Sequence, residues 1–157
     1  MEKVADTNQK FMKCALMEAQ KALLKDEVPV GCVIVKDGKI IAKGYNKKEQ
    51  NHCSIFHAEI IAIEKACKKL GDWRLEDCTL FVTMEPCAMC AGAILNHRIK
   101  NVVFGISEQN FGACGGGIDL LNNKELNSKT NVVSGILREE CLDLLQRFFK
   151  QRRNLAK

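Results

Sequence analysis

The sequence predicts an α/β protein, a three-layer α/β/α sandwich around a mixed five-stranded sheet. Three observations carry that expectation. Apolar residues recur at helical spacing near both ends and in the middle of the chain, and short near-continuous apolar runs lie between these segments. Taken in order, the elements read α-β-β-α-β-α-β-β-α, a succession that places helices on both faces of one sheet.

Between Thr7 and Leu24, Met12, Leu16, Ala19 and Leu23 recur at steps of three and four, as in an amphipathic helix. Beyond Pro29, V-G-C-V-I-V-K reads as a buried strand, Asp37-Gly38 as the two-residue turn of a hairpin, and K-I-I-A-K-G-Y as the returning strand. A second helix starts at or near His57, with Ile60, Ile61, Ile63, Ala66, Cys67 and Leu70 on one broad face and Gly71 as its C-cap. C-T-L-F-V-T is the next strand. Pro86 suits the first turn of the helix behind it, which runs to about Leu95, because proline lacks only a donor that would be orphaned there. N-V-V-F-G-I is another strand, and F-G-A-C-G-G-G-I-D-L-L a loop of special backbone geometry. After a short segment through Asn131, a final amphipathic helix runs from Ile136 to about Leu155, with Leu137, Cys141, Leu144, Leu145 and Phe148 as its stripe.

A length of 157 residues, 46% of them hydrophobic and 27% charged, matches one domain spanning 1–157. The N-terminus M-E-K-V-A-D-T-N-Q-K carries no export pattern and no apolar run is long enough for a membrane span, so a soluble cytoplasmic protein is expected. Nine cysteines, an odd number, argue against a disulfide scaffold in that setting, and Cys32, Cys67, Cys78 and Cys141 read as small core residues. The net charge of +5 lies entirely in the tail, L-L-Q-R-F-F-K-Q-R-R-N-L-A-K, which has five basic residues and none acidic. Such a block attracts phosphates, although cations in the last turns of a helix are also favoured by its dipole alone.

The chemistry concentrates in M-E-P-C-A-M-C-A-G-A, where Cys87 and Cys90 stand three apart behind Pro86. A C-x-x-C pair serves redox exchange, a structural zinc or a catalytic zinc, and its company decides. No second C-x-x-C exists to close a four-cysteine site. H-A-E at His57, Ala58 and Glu59 opens one helix as Pro86 and Cys87 open another, so both helix starts can meet at one edge of the sheet, where α/β sites form. His57, Cys87 and Cys90 then hold Zn2+ with one position open for water, whose pKa the metal lowers to roughly 7. Glu59 faces the same cavity as the proton carrier. His52, Cys53 and His97 lack such company and read as ordinary residues.

H-x-E…P-C-x-x-C is the signature of the zinc-dependent nucleobase deaminases, and the chain resembles the tRNA-specific adenosine deaminases among them. The likeness runs from Glu27 to Arg153: E-V-P-V-G, G-Y-N, H-A-E-I, T-M-E-P-C-A-M-C-A-G-A-I with H-R-I behind it, V-V-F-G, G-A-C-G and F-F-K-Q-R-R. The resemblance implies a cytidine deaminase-like fold and a zinc-dependent homodimer that converts adenosine to inosine at the wobble position of a tRNA anticodon stem-loop. It assigns His57, Cys87 and Cys90 as ligands of one Zn2+ per subunit and Glu59 as proton shuttle. Asn46 would hydrogen-bond the flipped base, helped by the backbone at Ala58 and Cys87, and Glu108 would lie near the ribose of the target nucleotide. Phe149 with Arg152 and Arg153 then reads as an RNA contact, an aromatic with cations of the kind that stacks on and neutralises single strands.

The chain departs from the family pattern at two places. Cys53-Ser54-Ile55-Phe56 stands where Asp-Pro-Thr-Ala is usual, which is expected to alter a wall of the pocket, and Glu108 stands where an aspartate is frequent. Two rival readings share the metal motif: a deaminase of free guanine or cytosine, and a non-catalytic zinc or RNA-binding subunit. The basic tail argues against the first, and Glu59 against the second, since a structural metal has no use for an acid placed there.

Overall fold

The hairpin forms where Asp37-Gly38 requires it. In the computed structural model, which describes residues 1–157, Asp37 (φ 50°) and Gly38 (φ 72°) are both left-handed, as a tight two-residue turn demands. They join β1 (Gly31–Lys36) to β2 (Lys39–Tyr45). The sheet continues through β3 (Cys78–Met84), β4 (Asn101–Ile106) and the three-residue β5 (Asn131–Val133), in the order β2-β1-β3-β4-β5. The pairs β1–β2 and β1–β3 are antiparallel, whereas β3–β4 and β4–β5 are parallel, so the sheet is mixed as expected.

Helices α1 (Glu2–Leu24) and α4 (Arg138–Leu155) cover one face, burying Phe11, Met12 and Cys141 with Val33, Phe81 and Val103 of the strands. Helices α2 (Ala58–Leu70) and α3 (Ala88–Asn96) cover the other, over Ile34, Leu80, Val82, Val102 and Phe104. The α/β/α layering is therefore as the sequence predicts.

The helix boundaries and faces differ in ways the packing explains. The first helix starts at Glu2 rather than Thr7, because its first turn is exposed and has no apolar pattern to reveal it. Its buried stripe is Phe11, Met12, Ala15, Ala19 and Ala22, with Leu16 and Leu23 only half buried. Gly31 is the cause: a Cβ there would strike the Ala15 carbonyl and the Ala19 amide, so α1 lies directly on β1 and only alanines fit beneath it. Gly44 stands in the same relation to α2, where a Cβ would meet the Ala58 carbonyl and the Ala62 amide at 2.9 Å. This close approach sets the N-terminus of α2 beside the end of β2. Pro86 precedes the Cys87 cap of α3 instead of entering its first turn. The last helix starts at Arg138, with Leu137 left-handed at its cap (φ 51°), because the Ile136 amide is still bonded to the Phe104 carbonyl of β4. Cys67 is half buried, unlike Cys32, Cys78 and Cys141.

Candidate functional site

Two helix starts supply the polar centre. His57 caps α2 and Cys87 caps α3, both with extended backbone (φ −74°, ψ 155° and φ −72°, ψ 177°), and neither makes a side-chain capping hydrogen bond. Both are thereby free to face each other. Cys90 sits in the first turn of α3, buried beneath them. The Nδ1 atom of His57 lies 3.6 Å from the Cys87 sulfur and 3.5 Å from the Cys90 sulfur, and all three donor atoms fall within 4.8 Å of one another. One ion at ordinary zinc bond lengths and tetrahedral angles puts a nitrogen and a sulfur ligand about 3.6 Å apart. The trio fits such an ion, with His57 binding through Nδ1, and no fourth protein ligand joins it.

The three groups hydrogen-bond one another, and each shifts its neighbours' hold on a proton. Hydrogen bonds from Cys90 and from His57 pull the Cys87 thiol down to about 3. Cys90 is held well above its usual value by sharing a proton with Cys87 and by burial. His57 is raised, chiefly by its bond to Cys87.

Glu59, in the first turn of α2 and 3% exposed, borders the same space. Burial raises its pKa above the usual carboxylate value, against a Cys90 hydrogen bond and the His57 charge, which lower it. A carboxyl in that state accepts and holds a proton readily. The space is a cavity of about 430 Å3, of ligand-pocket size. Asn46, His57, Ala58, Glu59, Cys87 and Glu108 line it together with Val28, Val30, Lys48, Met84, Glu85 and Phe111. Asn46 is fixed there: its Nδ2 donates to the Val28 carbonyl at 3.2 Å and its Oδ1 accepts from the Lys48 amide at 3.1 Å. One N–H and one lone pair remain unspent. Glu108 accepts from the Asn110 amide at 2.8 Å through one carboxylate oxygen.

Sequence reasoning missed two buried carboxylates that hold the loops on either side. Glu27, 1% exposed, accepts the amides of Glu49 and Gln50 at 3.1 and 2.6 Å. Glu85, 5% exposed, accepts those of Glu108, Cys114 and Gly116 at 3.2, 3.0 and 2.9 Å. Their partners are backbone groups more than twenty residues away, a pairing that leaves no residue-type signal. The glycines of the second loop answer to this contact, since a Cβ on Gly116 would crowd the Glu85 carboxylate at 2.6 Å.

The remaining sequence candidates lie elsewhere. Cys53, Ser54, Ile55 and Phe56 form a turn leading into His57, and none of them lines the cavity, contrary to expectation. The reason is that the Lys47 amide bonds back to the Phe56 carbonyl, closing the segment into a turn of its own. On α4, Phe148 is core, while Phe149 is half exposed and meets it edge-on with ring centroids 5.3 Å apart. Arg152 lies over the Phe148 ring at 5.1 Å and donates to the Asp26 carbonyl at 2.8 Å, tying the basic helix end to the segment that continues into Glu27 and Val28. Arg153 is exposed.

Residues 6–153 match the family model of the MafB19-like deaminases. A tRNA-specific adenosine deaminase of Streptococcus pyogenes is 48% identical over 147 residues, covering 94% of this chain and 92% of that protein. A solved structure from studies of A-to-I editing by tRNA:A34 deaminases superposes with a TM-score of 0.83 at 38% identity, over 87% of this chain and 99% of the other. The guanine deaminase of Nitrosomonas europaea superposes with a TM-score of 0.75 at 26% identity, over 87% of this chain and 81% of the other.

Proposed function

This chain is a deaminase and belongs to the tRNA-specific adenosine deaminases, and from that membership with the geometry of its cavity we infer that it deaminates adenosine to inosine at the wobble position of tRNA. The observation that carries the reading is a buried carboxyl, Glu59, beside a three-donor metal seat at the wall of a base-sized cavity.

His57, Cys87 and Cys90 would hold one Zn2+, which when bound would supply the Lewis acid that makes water a nucleophile near neutral pH. The chain's own groups do the rest. Water adds at carbon 6 of the base; Glu59 takes its proton, passes it to the ring nitrogen beside that carbon, and then serves the departing amine, so that oxygen enters and ammonia leaves. Its raised pKa suits a group that must both accept and give at working pH. The unspent N–H and lone pair of Asn46 meet the base edge. The Ala58 amide, among the first of α2 and without an intrahelical acceptor, offers a further donor beside the backbone of Cys87. The oxygen of Glu108 not engaged by Asn110 meets a ribose hydroxyl.

The target carbon is shielded within a base stack, so the nucleotide must be flipped out or lie unpaired, as in an anticodon loop. Phe149, Arg152 and Arg153 contact that stem-loop; their support is the link from Arg152 to the Asp26 carbonyl, next to the loop that lines the cavity. The whole of 1–157 acts as one deaminase domain in the cytoplasm. No helix is long and apolar enough to cross a membrane. A homodimer is supported by α3, AMCAGAILN, which has no charged residue and leaves Ala88 exposed and Met89, Gly92, Ala93 and Leu95 only partly covered.

A free-base deaminase is the second reading, favoured by the likeness to a guanine deaminase. Inosine formation on an anticodon stem-loop with adenosine at the wobble position, run beside ammonia release from free guanine, cytosine and adenosine, separates the two. Inosine in the RNA alone is expected. Ammonia from a free base with unreacted RNA would transfer the same machinery to nucleobase chemistry.

A further inference from the structure

Phe111 is the one large exposed hydrophobic side chain that also lines the catalytic cavity; Met17, Trp73, Leu126 and Phe149, exposed like it, lie elsewhere. It is 77% exposed, so the core makes no use of it. Nor does its position follow from a loose loop. The Glu85 carboxylate clamps the backbone on both sides of it, through Glu108 and through Cys114 and Gly116. Its neighbour Gly112 bridges to Cys87, and the Ala113 amide bonds the Pro86 carbonyl at 2.9 Å. The backbone that carries this exposed ring is therefore held at a fixed offset from the metal seat. Lys48, an exposed cation, lines the same cavity.

We propose that Phe111 is a stacking platform for the unpaired base adjacent to the one that enters the cavity, and thereby a determinant of which flanking nucleotide the enzyme prefers. The proposal rests on the reading of RNA as substrate. An aromatic face stacks on any base and gains most on large purine surfaces. A free base needs no such rim, because nothing of it extends beyond the cavity.

The test uses the full-length zinc-loaded protein and a stem-loop carrying 2-aminopurine, whose emission falls on stacking, at one or other side of the target adenosine. Wild type is expected to quench one of the two probes. F111A and F111L abolish that quenching and F111W keeps it, while KM for the stem-loop rises about 5- to 150-fold in the first two, the range expected for one lost base–aromatic stack. Circular dichroism and zinc content confirm that each variant is folded. Unchanged KM and quenching in F111A overturn the proposal, as does full replacement by leucine, which would make Phe111 an apolar cover. A fall in oligomer mass in F111A with KM per site unaltered also overturns it, assigning the ring to a second copy of the chain. Quenching that depends on Phe111 without any inosine would leave the platform standing and refute the deaminase reading instead.

Discussion

Glu85 offers the sharpest quantitative test of how the cavity wall is built. Its two carboxylate oxygens divide three amides: Oε1 takes Glu108, and Oε2 takes Cys114 and Gly116. In E85Q the amide oxygen can keep the pair at Cys114 and Gly116, but the NH2 group then faces the Glu108 amide, donor against donor. One hydrogen bond to a charged acceptor is lost, at about 1.5–3 kcal/mol, and the two kept become neutral and weaker. A local cost near 2 kcal/mol corresponds to about 30-fold faster opening of the loop. Native-state hydrogen exchange on the zinc-loaded protein reads it directly, as loss of protection at the Glu108 amide, with smaller losses at Cys114 and Gly116 and strands β1 and β3 unaffected. Because Glu108 and Phe111 ride on this loop, KM for RNA should rise as well. Exchange at the Glu108 amide within twofold of wild type would refute the claim that the carboxylate holds the loop.

Three further outcomes are expected. Glu59→Gln should bind zinc and fold as wild type while losing about 100- to 10,000-fold in turnover, the usual contribution of a positioned proton carrier; unchanged turnover in steady-state assays would remove Glu59 from its role. Chelation should abolish activity and lower the melting temperature, with both restored by one equivalent of Zn2+ per chain, since a ligand bound only to the folded state stabilises it by mass action; a metal-stripped protein that stays active would contradict the site. Size-exclusion chromatography with light scattering should give twice the chain mass of 17.6 kDa, and a monomer would remove the dimer.

Much of this was legible in the sequence because the signals were local. Periodicity and turn residues announce the order of elements, and His57, Glu59, Cys87 and Cys90, which the structure brings together, stand out as residue types that suit a metal site at two helix starts. What escaped is set by tertiary contact. The buried stripe of α1 shifted to alanines because Gly31 draws the helix onto the sheet, a requirement placed by a strand on a helix some fifteen residues away. Glu27 and Glu85 look like surface acids until the chain closes over them. Phe111 sits in a run of polar and glycine residues and gains meaning only at the rim of a cavity. The Cys53–Phe56 segment shows the converse: sequence adjacency to His57 suggests a pocket wall, but the turn carries it away.

The central claim is that this cavity converts an adenosine held in RNA, with Glu59 moving the proton. A single-turnover reaction of wild type and Glu59→Gln, each loaded with zinc, on the wobble-adenosine stem-loop in 18O-labelled water tests it most directly. The account predicts inosine with one labelled oxygen at carbon 6 from wild type and an almost unreacted stem-loop from the variant. Labelled inosine formed at equal rates by both, or no inosine from wild type, would contradict it.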